Sequence, residues 1–144
     1  MKAGKRHEVL LVEDNPGDVG LMREAFKLVN TPITLHVAPD GEKAMEFLKR
    51  EGPNKSASVP DLVLLDLNLP KKDGREVLKT IKMDDNLKSI PVLIVTTSRS
   101  KEDVHFCYQH HANGYLIKSG DFDEVMELGQ AIDHFWFTAN VGPC

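Results

Sequence analysis

The sequence predicts an α/β fold in which a β-strand followed by an α-helix is repeated five times, building a doubly wound, parallel five-stranded sheet. Five short segments, most of them continuously apolar, are typical of parallel strands covered on both faces: Val9–Val12, Thr34–Val37, Leu62–Leu65, Val92–Val95 and Tyr115–Ile117. Amphipathic stretches with capping and turn residues lie between them. Because successive parallel strands are joined by right-handed crossovers, we expect helices on both faces of the sheet.

The first two helices are indicated by their starting residues and by the spacing of their apolar side chains. Asn15 followed by Pro16 is typical of an N-cap with proline in the first helical position. The spacing of a buried helix face follows at Met22, Ala25, Phe26 and Val29. After the second strand, Asp40 is expected to begin a helix whose inward residues are Ala44, Phe47 and Leu48.

The last three helices carry capping residues at their predicted starts. The pairs are Asp73 with Glu76, Ser100 with Asp103, and Asp121 with Glu124. In the third helix the inward residues are expected to be Val77, Leu78 and Ile81. In the fifth helix one stripe is expected to join the core, formed by Val125, Leu128, Ile132 and Phe135.

Length and composition are those of one globular domain. The chain has 144 residues, of which 41% are apolar and 28% are charged. Gly52–Pro60 is interpreted as a loop within the domain, too short to be a domain linker. We therefore expect residues 1–144 to form a single domain with no output domain, since only Thr138–Cys144 follows the fifth helix.

Charge, cysteine content and hydropathy argue against several classes of function. A net charge of −4 disfavours non-specific nucleic-acid binding, which depends on clustered positive charge. Cys107 and Cys144 make neither a disulfide framework nor a metal-ligand pattern, and His105, His110 and His111 lack the spacing of a helical zinc pair. The sequence has no apolar run of ~18 residues and no secretory signal. We expect a soluble, cytoplasmic protein that binds neither nucleic acid nor membrane.

Polar side chains follow four of the five predicted strands at their carboxyl ends. They are Glu13 and Asp14 after the first strand, Asp66 and Asn68 after the third, Thr96, Thr97 and Ser98 at the fourth, and Lys118 after the fifth. Ligands of open α/β sheets bind beyond the carboxyl ends of the strands, so these side chains are expected to converge. Any one of them could be a plain turn or capping residue. Their coincidence at four strand ends favours a site.

Such a site suits a divalent cation and a phosphoryl group. Two unit charges 4 Å apart repel by about 4 kcal/mol at an effective dielectric of 20, so three carboxylates need a cation nearby. An all-oxygen acidic cluster suits Mg²⁺, and Lys118 adds a further positive charge. A carboxylate can be the nucleophile in phosphoryl transfer and form an aspartyl-phosphate.

The motifs LLVEDN, LVLLDLNLPKKDG, PVLIVTTS and GYLIK resemble the receiver domain of two-component response regulators. The resemblance runs from about Val9 to about Phe137, nearly the whole chain. It implies the flavodoxin-like receiver fold with strand order 2-1-3-4-5. It also implies a stand-alone response regulator, which is a phosphoacceptor signalling protein and not an enzyme beyond its own phosphorylation and dephosphorylation.

The resemblance gives each residue of the predicted site a role. Asp66 is implied to be the phosphoacceptor, and Lys118 to contact the phosphoryl oxygens. Glu13, Asp14 and Asp66 are implied to hold Mg²⁺, with Asn68 contributing its backbone carbonyl.

The resemblance also implies a conformational switch. Thr96 would donate its hydroxyl to the phosphoryl group, and Tyr115 matches the aromatic residue whose rotamer reports the change. The face formed by the fourth helix, fifth strand and fifth helix would then be reshaped for a protein partner. The implied partners are a sensor histidine kinase and a downstream protein that the sequence does not identify.

The chain departs from the common receiver pattern after two of its strands. Lys118 is followed by Ser119 where proline is usual, so a trans peptide bond is expected there. Thr97 stands where a smaller residue is usual, and Ser98 and Asn68 flank the expected path of the attacking water. The Lys-Ser pair, the extended loop after the second helix and the aromatic C-terminal helix are similar to small regulators that act with bacterial phytochrome-type kinases.

Phe135, Trp136 and Phe137 put three aromatic residues in a row near the C-terminus. Consecutive helical residues point about 100° apart, so the three cannot all face one core. With Phe135 assigned to the core stripe, Trp136 or Phe137 is expected to be exposed or to cover a neighbouring surface. We interpret these aromatics, or the switch face, as a surface for a homodimer or another partner.

Two other functions are compatible with parts of the pattern. An aspartyl-phosphate phosphatase or transferase would commonly have a second acid near its nucleophile in a DxD arrangement on the first strand. Here Asp66 follows the third strand, and position 68 is Asn. A pseudo-receiver that only binds a partner would be indicated by loss of Asp66, Lys118 or the acidic pair, and all of these are present.

Overall fold

The computed structural model describes residues 6–50 and 59–139, and strands alternate with helices throughout. The elements in chain order are β1 (His7–Val12), α1 (Pro16–Lys27), β2 (Ile33–Ala38), α2 (Gly41–Leu48), β3 (Leu62–Leu65), α3 (Gly74–Met83), β4 (Val92–Thr96), α4 (Lys101–Gln109), β5 (Gly114–Ile117), α5 (Phe122–Ile132) and a π-helical segment (Asp133–Ala139). Most of the expected loop Gly52–Pro60 and of the tail Thr138–Cys144 lies outside the described residues.

The five strands form one parallel sheet in the order β2-β1-β3-β4-β5, which confirms the predicted fold class and strand order. Strand β1 pairs with β3 from Val9 opposite Leu62 to Val12 opposite Leu65. On the far side, β4 pairs with β5 as far as Thr96 opposite Ile117. This register brings the carboxyl ends of β1, β3, β4 and β5 to the same edge of the sheet.

The core has one layer on each face of the sheet, and alternate residues of a strand enter different layers. Leu10 and Val12 pack with α2, α3 and α4, whereas Val9 and Leu11 pack with residues of α1 and the C-terminal helix. Every residue of β3 and β4 is buried. Both faces of the central strands are covered, which is why β3 and the first four residues of β4 are apolar and do not alternate with polar residues.

Four of the five predicted helix starts are capped by the side chains expected. Asn15, Asp40, Asp73 and Ser100 each accept a hydrogen bond from a backbone N–H in the first turn of the following helix. Asp121 occupies the N-cap position of α5 but makes no such bond. Its own N–H instead donates to Oγ of Ser119, 3.0 Å away. The helix starts are therefore fixed locally by short polar side chains.

The predicted stripe on the last helix is wrong at its C-terminal end. Val125 and Ile132 are buried as expected, but Phe135 is 53% exposed and Phe137 only 3% exposed. The physical reason is the π-helical segment, whose backbone hydrogen bonds span five residues and not four, so that each turn is wider than an α-helical turn. Counting five residues from Ile132 therefore brings Phe137 into the core, where Trp136 also packs at its edge.

None of the helices in the described part of the chain combines the length and the apolar character that crossing a bilayer requires.

Candidate functional site

Backbone hydrogen bonds continue past the strands and fix the residues at the site edge. The N–H of Glu13 donates to Ala38 O over 3.0 Å, and the N–H of Asp66 donates to Val12 O over 3.1 Å. The N–H of Lys118 donates to Thr96 O over 2.7 Å. The backbones of Glu13, Asp66 and Lys118 are thus each held by a neighbouring strand.

Glu13, Asp14 and Asp66 form an acidic cluster at this edge. One oxygen from each carboxylate lies within 4.8 Å of the others, and within residues 6–50 and 59–139 no other such group of metal-ligand side chains occurs. Glu13 and Asp66 are only 4% and 5% exposed, and Asp14 faces solvent. Burial, together with the nearby charge of Asp66, raises the pKa of Glu13 despite its hydrogen bonds from Lys118 and Asn15.

The donor atoms of this cluster suit a hard divalent cation. All three side chains offer carboxylate oxygens, and the exposed Asp14 leaves the cluster open to solvent. Oxygen-only donors with water filling the remaining positions are the usual environment of Mg²⁺ in proteins. The residues present therefore fit the ion that the sequence predicted.

The ammonium of Lys118 lies among three carboxylates. Its Nζ is 2.8 Å from Glu13 Oε1, 3.0 Å from Asp66 Oδ2 and 3.0 Å from Asp18 Oδ2. Burial alone would lower the pKa of Lys118, but the hydrogen bonds to these carboxylates outweigh burial and raise the pKa. Lys118 is therefore a fixed positive charge beside Asp66.

Asp18 is a site residue that the sequence argument missed. It lies in the first turn of α1, where its N–H donates to the N-cap Asn15 Oδ1 over 3.1 Å. An acid in a first helical turn usually suggests only favourable placement near the helix N-terminus. The sequence carries no signal for its contact with Lys118, because that contact depends on where the fold places the first turn of α1 relative to the end of β5.

Asn68 and Gly74 shape the loop that follows Asp66. Asn68 is exposed, and its N–H donates to Asp66 Oδ1 over 3.3 Å. The N–H of Gly74 donates to Leu67 O over 2.9 Å, closing the loop against the start of α3. A Cβ on Gly74 would lie 2.1 Å from Asp66 O, so only glycine allows this close approach.

Thr96 and Tyr115 both contact Ser98 in the loop between β4 and α4. The N–H of Ser98 donates to Thr96 Oγ1 over 3.3 Å, and Tyr115 donates its hydroxyl proton to Ser98 O over 2.9 Å. Thr96 is fully buried and Tyr115 half-buried, and burial raises the pKa of Tyr115. The two predicted switch residues are therefore linked through one residue of this loop.

The residues that depart from the receiver pattern lie in the loops after β4 and β5. Thr97 is exposed, and the Ser98 hydroxyl donates to Asp103 Oδ2 over 2.6 Å. The Lys118–Ser119 peptide bond is trans, since no cis bond occurs among the described residues.

Two of the histidines that lack the spacing of a helical zinc pair have different surroundings. His105 is exposed, and the ring of His110 packs on Phe106 with centroids 4.2 Å apart.

The chain is similar over almost its full length to known response regulators. Residues 9–130 match the response regulator receiver domain family. The chain is 44% identical over 128 residues to the response regulator Rcp1 of Synechocystis sp., covering 89% of this chain and 87% of that relative. The matched family range contains every site residue described above, from Glu13 to Lys118.

Solved structures of similar proteins have the same fold. The phosphorylated cyanobacterial phytochrome response regulator RcpA superposes with a TM-score of 0.93 at 41% identity, covering 97% of this chain and 100% of that one. The Mn²⁺-bound form of the response regulator Rcp1 superposes with a TM-score of 0.90 at 42% identity, covering 96% of this chain and 99% of that one.

Proposed function

Because the chain belongs to the response regulator receiver domain family, we propose that it is a signalling switch phosphorylated on Asp66. The observation that carries this proposal is the position of the Asp66 carboxylate. It lies 3.0 Å from the Lys118 ammonium and within 4.8 Å of the Glu13 and Asp14 carboxylates. A nucleophilic carboxylate beside one fixed cation and two further acids is suited to receive a phosphoryl group.

The phosphoryl group would come from a phosphohistidine on a sensor kinase. An oxygen of Asp66 attacks phosphorus, and a new O–P bond forms as the P–N bond of the phosphohistidine breaks. The electron pair of that bond stays on the imidazole nitrogen, which takes a proton from solvent. Lys118, already within hydrogen-bonding distance of Asp66, stabilises the charge on the phosphoryl oxygens.

A divalent ion fits this reaction. Glu13, Asp14 and Asp66, with the backbone carbonyl of Asn68, would hold Mg²⁺. When bound, the ion supplies neutralisation of the charge on the transferring phosphoryl oxygens. The protein is then a phosphoacceptor and not an enzyme acting on separate substrates.

The switch would act through Thr96 and Tyr115. Thr96 Oγ1 now accepts from Ser98, so its own hydroxyl proton is available to a phosphoryl oxygen. A movement of Thr96 would release Ser98 N–H and disturb the bond that Tyr115 makes to Ser98 O. The surface of α4, β5 and α5 would then change for a partner. A shift from 1:99 to 99:1 needs about 5.5 kcal/mol of differential stabilisation, much of which charge-assisted hydrogen bonds to a phosphoryl group could supply.

The partners we propose follow from the relatives and from the surface. Similarity to the phytochrome response regulator RcpA supports a phytochrome-type histidine kinase as the phosphodonor. The phosphotransfer that we propose would take place in the cytoplasm. The downstream protein is unidentified, and the net charge of −4 argues against nucleic acid. A homodimer through the α4–β5–α5 face or the C-terminal aromatics would use exposed Tyr108, Phe122 and Phe135. Unchanged self-association of the Phe135→Ala and Trp136→Ala variants would exclude the C-terminal surface.

The experiment that tests the function is phosphorylation of the purified protein by a small acyl phosphate, with and without Mg²⁺, beside Asp66→Asn. We expect label that depends on Mg²⁺ and is absent from the variant. Asp61→Asn is the matched control, because Asp61 lies before β3, at the opposite end of the strand from Asp66. Label that persists in Asp66→Asn would contradict the assignment. No label in any protein, with folding intact and a histidine kinase supplied, would favour the pseudo-receiver.

A further inference from the structure

The three N–H bonds of the Lys118 ammonium are shared among three carboxylates, and these carboxylates are not equivalent. Glu13 and Asp66 belong to the acidic cluster that fits a divalent ion, whereas Asp18 does not. We propose that Asp18 is a positioning residue, which holds Lys118 in place when Glu13 and Asp66 turn their oxygens to a metal ion. This inference rests on the proposed function and deepens it.

Both carboxylates of the cluster that contact Lys118 already accept a hydrogen bond on each oxygen. Glu13 uses Oε1 for Lys118 and Oε2 for the N–H of Asn15, 3.1 Å away. Asp66 uses Oδ2 for Lys118 and Oδ1 for the N–H of Asn68. To ligate a cation, either residue must therefore use an oxygen that already accepts a hydrogen bond in this structure. The bond to Lys118 is the one that a second cation opposes most, because two positive charges would then share one carboxylate.

Asp18 has its side chain free for Lys118 because of how the start of α1 is built. An acid at this position of a helix commonly turns back to the N–H of the N-cap residue. Here that N–H, on Asn15, is taken by Glu13 Oε2. Asn15 in turn caps the N–H of Asp18, which fixes the backbone of Asp18. The Asp18 carboxylate thus points to Lys118, 3.0 Å away, at a side-chain exposure of 25%.

Without Asp18, Lys118 would keep only partners that the metal ion also needs. The ammonium would then compete more strongly with Mg²⁺ for Glu13 and Asp66. The simpler alternative is that Asp18 only adds one negative charge near the site and near the N-terminus of α1. The two explanations differ in whether the effect of Asp18 on Mg²⁺ binding depends on Lys118.

A double-mutant cycle on Mg²⁺ binding separates them. Mg²⁺ is titrated calorimetrically, with no phosphodonor, into the unsubstituted full chain and into full chains that carry Asp18→Asn, Lys118→Met or both. We expect Asp18→Asn to weaken Mg²⁺ binding about tenfold when Lys118 is present and less than about threefold in the Lys118→Met background, where only the screened charge is lost. Glu24→Gln is the matched control, since Glu24 lies on α1, pairs with Lys27 and should change binding less than about twofold.

Each outcome either supports or overturns the role of Asp18 as a positioning residue. A clear dependence on Lys118 supports Asp18 as the positioning residue, even if Asp66 is never phosphorylated. Equal weakening in both backgrounds overturns it, even if Asp66 is phosphorylated normally. Absence of Mg²⁺ binding by every variant at millimolar concentration overturns it together with the metal site. Asp18→Asn keeps the size of the side chain, and circular dichroism verifies that each variant is folded.

Discussion

Arg75 near the start of α3 and Asp103 near the start of α4 form an ion pair in which both Nε and Nη2 of Arg75 lie 2.9 Å from Asp103 Oδ1. The other oxygen of Asp103 accepts the hydroxyl proton of Ser98. Ser98 is also the residue to which Tyr115 donates. The loop that carries the proposed switch is therefore bonded to α4 through Asp103, and Asp103 is in turn paired with Arg75 on α3.

Asp103→Asn should destabilise the protein at neutral pH. The hydrogen bond from Ser98, opposed by burial and aided by Arg75, holds the pKa of Asp103 below its ordinary value. A depressed pKa means that this stabilisation is complete above the unfolded-state value near 4 and is lost as the pH falls through the folded-state value. We expect a loss of about 1–2 kcal/mol in unfolding free energy at pH 7, which becomes smaller as the pH falls below about 4. Urea unfolding at pH 7 and at a series of pH values below about 4 measures this loss, and a loss that does not change with pH would contradict the explanation.

Tyr115→Phe should cost about 1 kcal/mol of unfolding free energy, because it removes one partly buried hydrogen bond and leaves Ser98 O without that donor. The chain offers a matched control, since its other tyrosine is Tyr108, which is 53% exposed. Tyr108→Phe should change stability by less than about 0.5 kcal/mol. In the Tyr108→Phe variant, the remaining phenol should ionise above its ordinary pKa of about 10, as followed by ultraviolet absorbance. Equal losses of unfolding free energy in the two variants would show that Tyr115 does not make the hydrogen bond to Ser98.

The sequence was sufficient to locate the residues whose backbone is set by strand pairing. Glu13, Asp66 and Lys118 each follow a recognisable apolar strand, and parallel pairing brings such ends together. Asp18 was not found, because its role depends on a contact between the first turn of α1 and Lys118 after β5, and apolar spacing does not predict that contact. The sequence also failed to predict that Phe137, and not Phe135, lies in the core, because a π-helical turn carries no signal in the apolar spacing.

Gly74→Ala should disrupt both the fold and the site. The added Cβ would lie 2.1 Å from Asp66 O and 2.6 Å from Leu67 Cα, and backbone atoms cannot move aside without shifting Asp66. We expect a loss of at least about 2 kcal/mol in unfolding free energy, with weaker Mg²⁺ binding. Gly20→Ala is the control, because nothing lies within 4 Å of its added Cβ on α1. The unfolding free energy of the Gly20→Ala variant should rise by about 0.5–1 kcal/mol, and this variant should bind Mg²⁺ normally. Normal stability of Gly74→Ala would show that the loop is not closed as described.

Phe137→Ala and Phe135→Ala together test the π-helical segment. Phe137 is buried and its ring packs on His7 with centroids 4.6 Å apart, whereas Phe135 is 53% exposed. Truncating a buried phenylalanine costs about 3–5 kcal/mol, and truncating an exposed one usually changes stability by less than about 0.5 kcal/mol. We therefore expect Phe137→Ala to lower the urea midpoint strongly and Phe135→Ala to leave it nearly unchanged. The reverse order would mean that α5 continues in regular α-helical register, with Phe135 in the core stripe, because only that register turns Phe135 inward and Phe137 away.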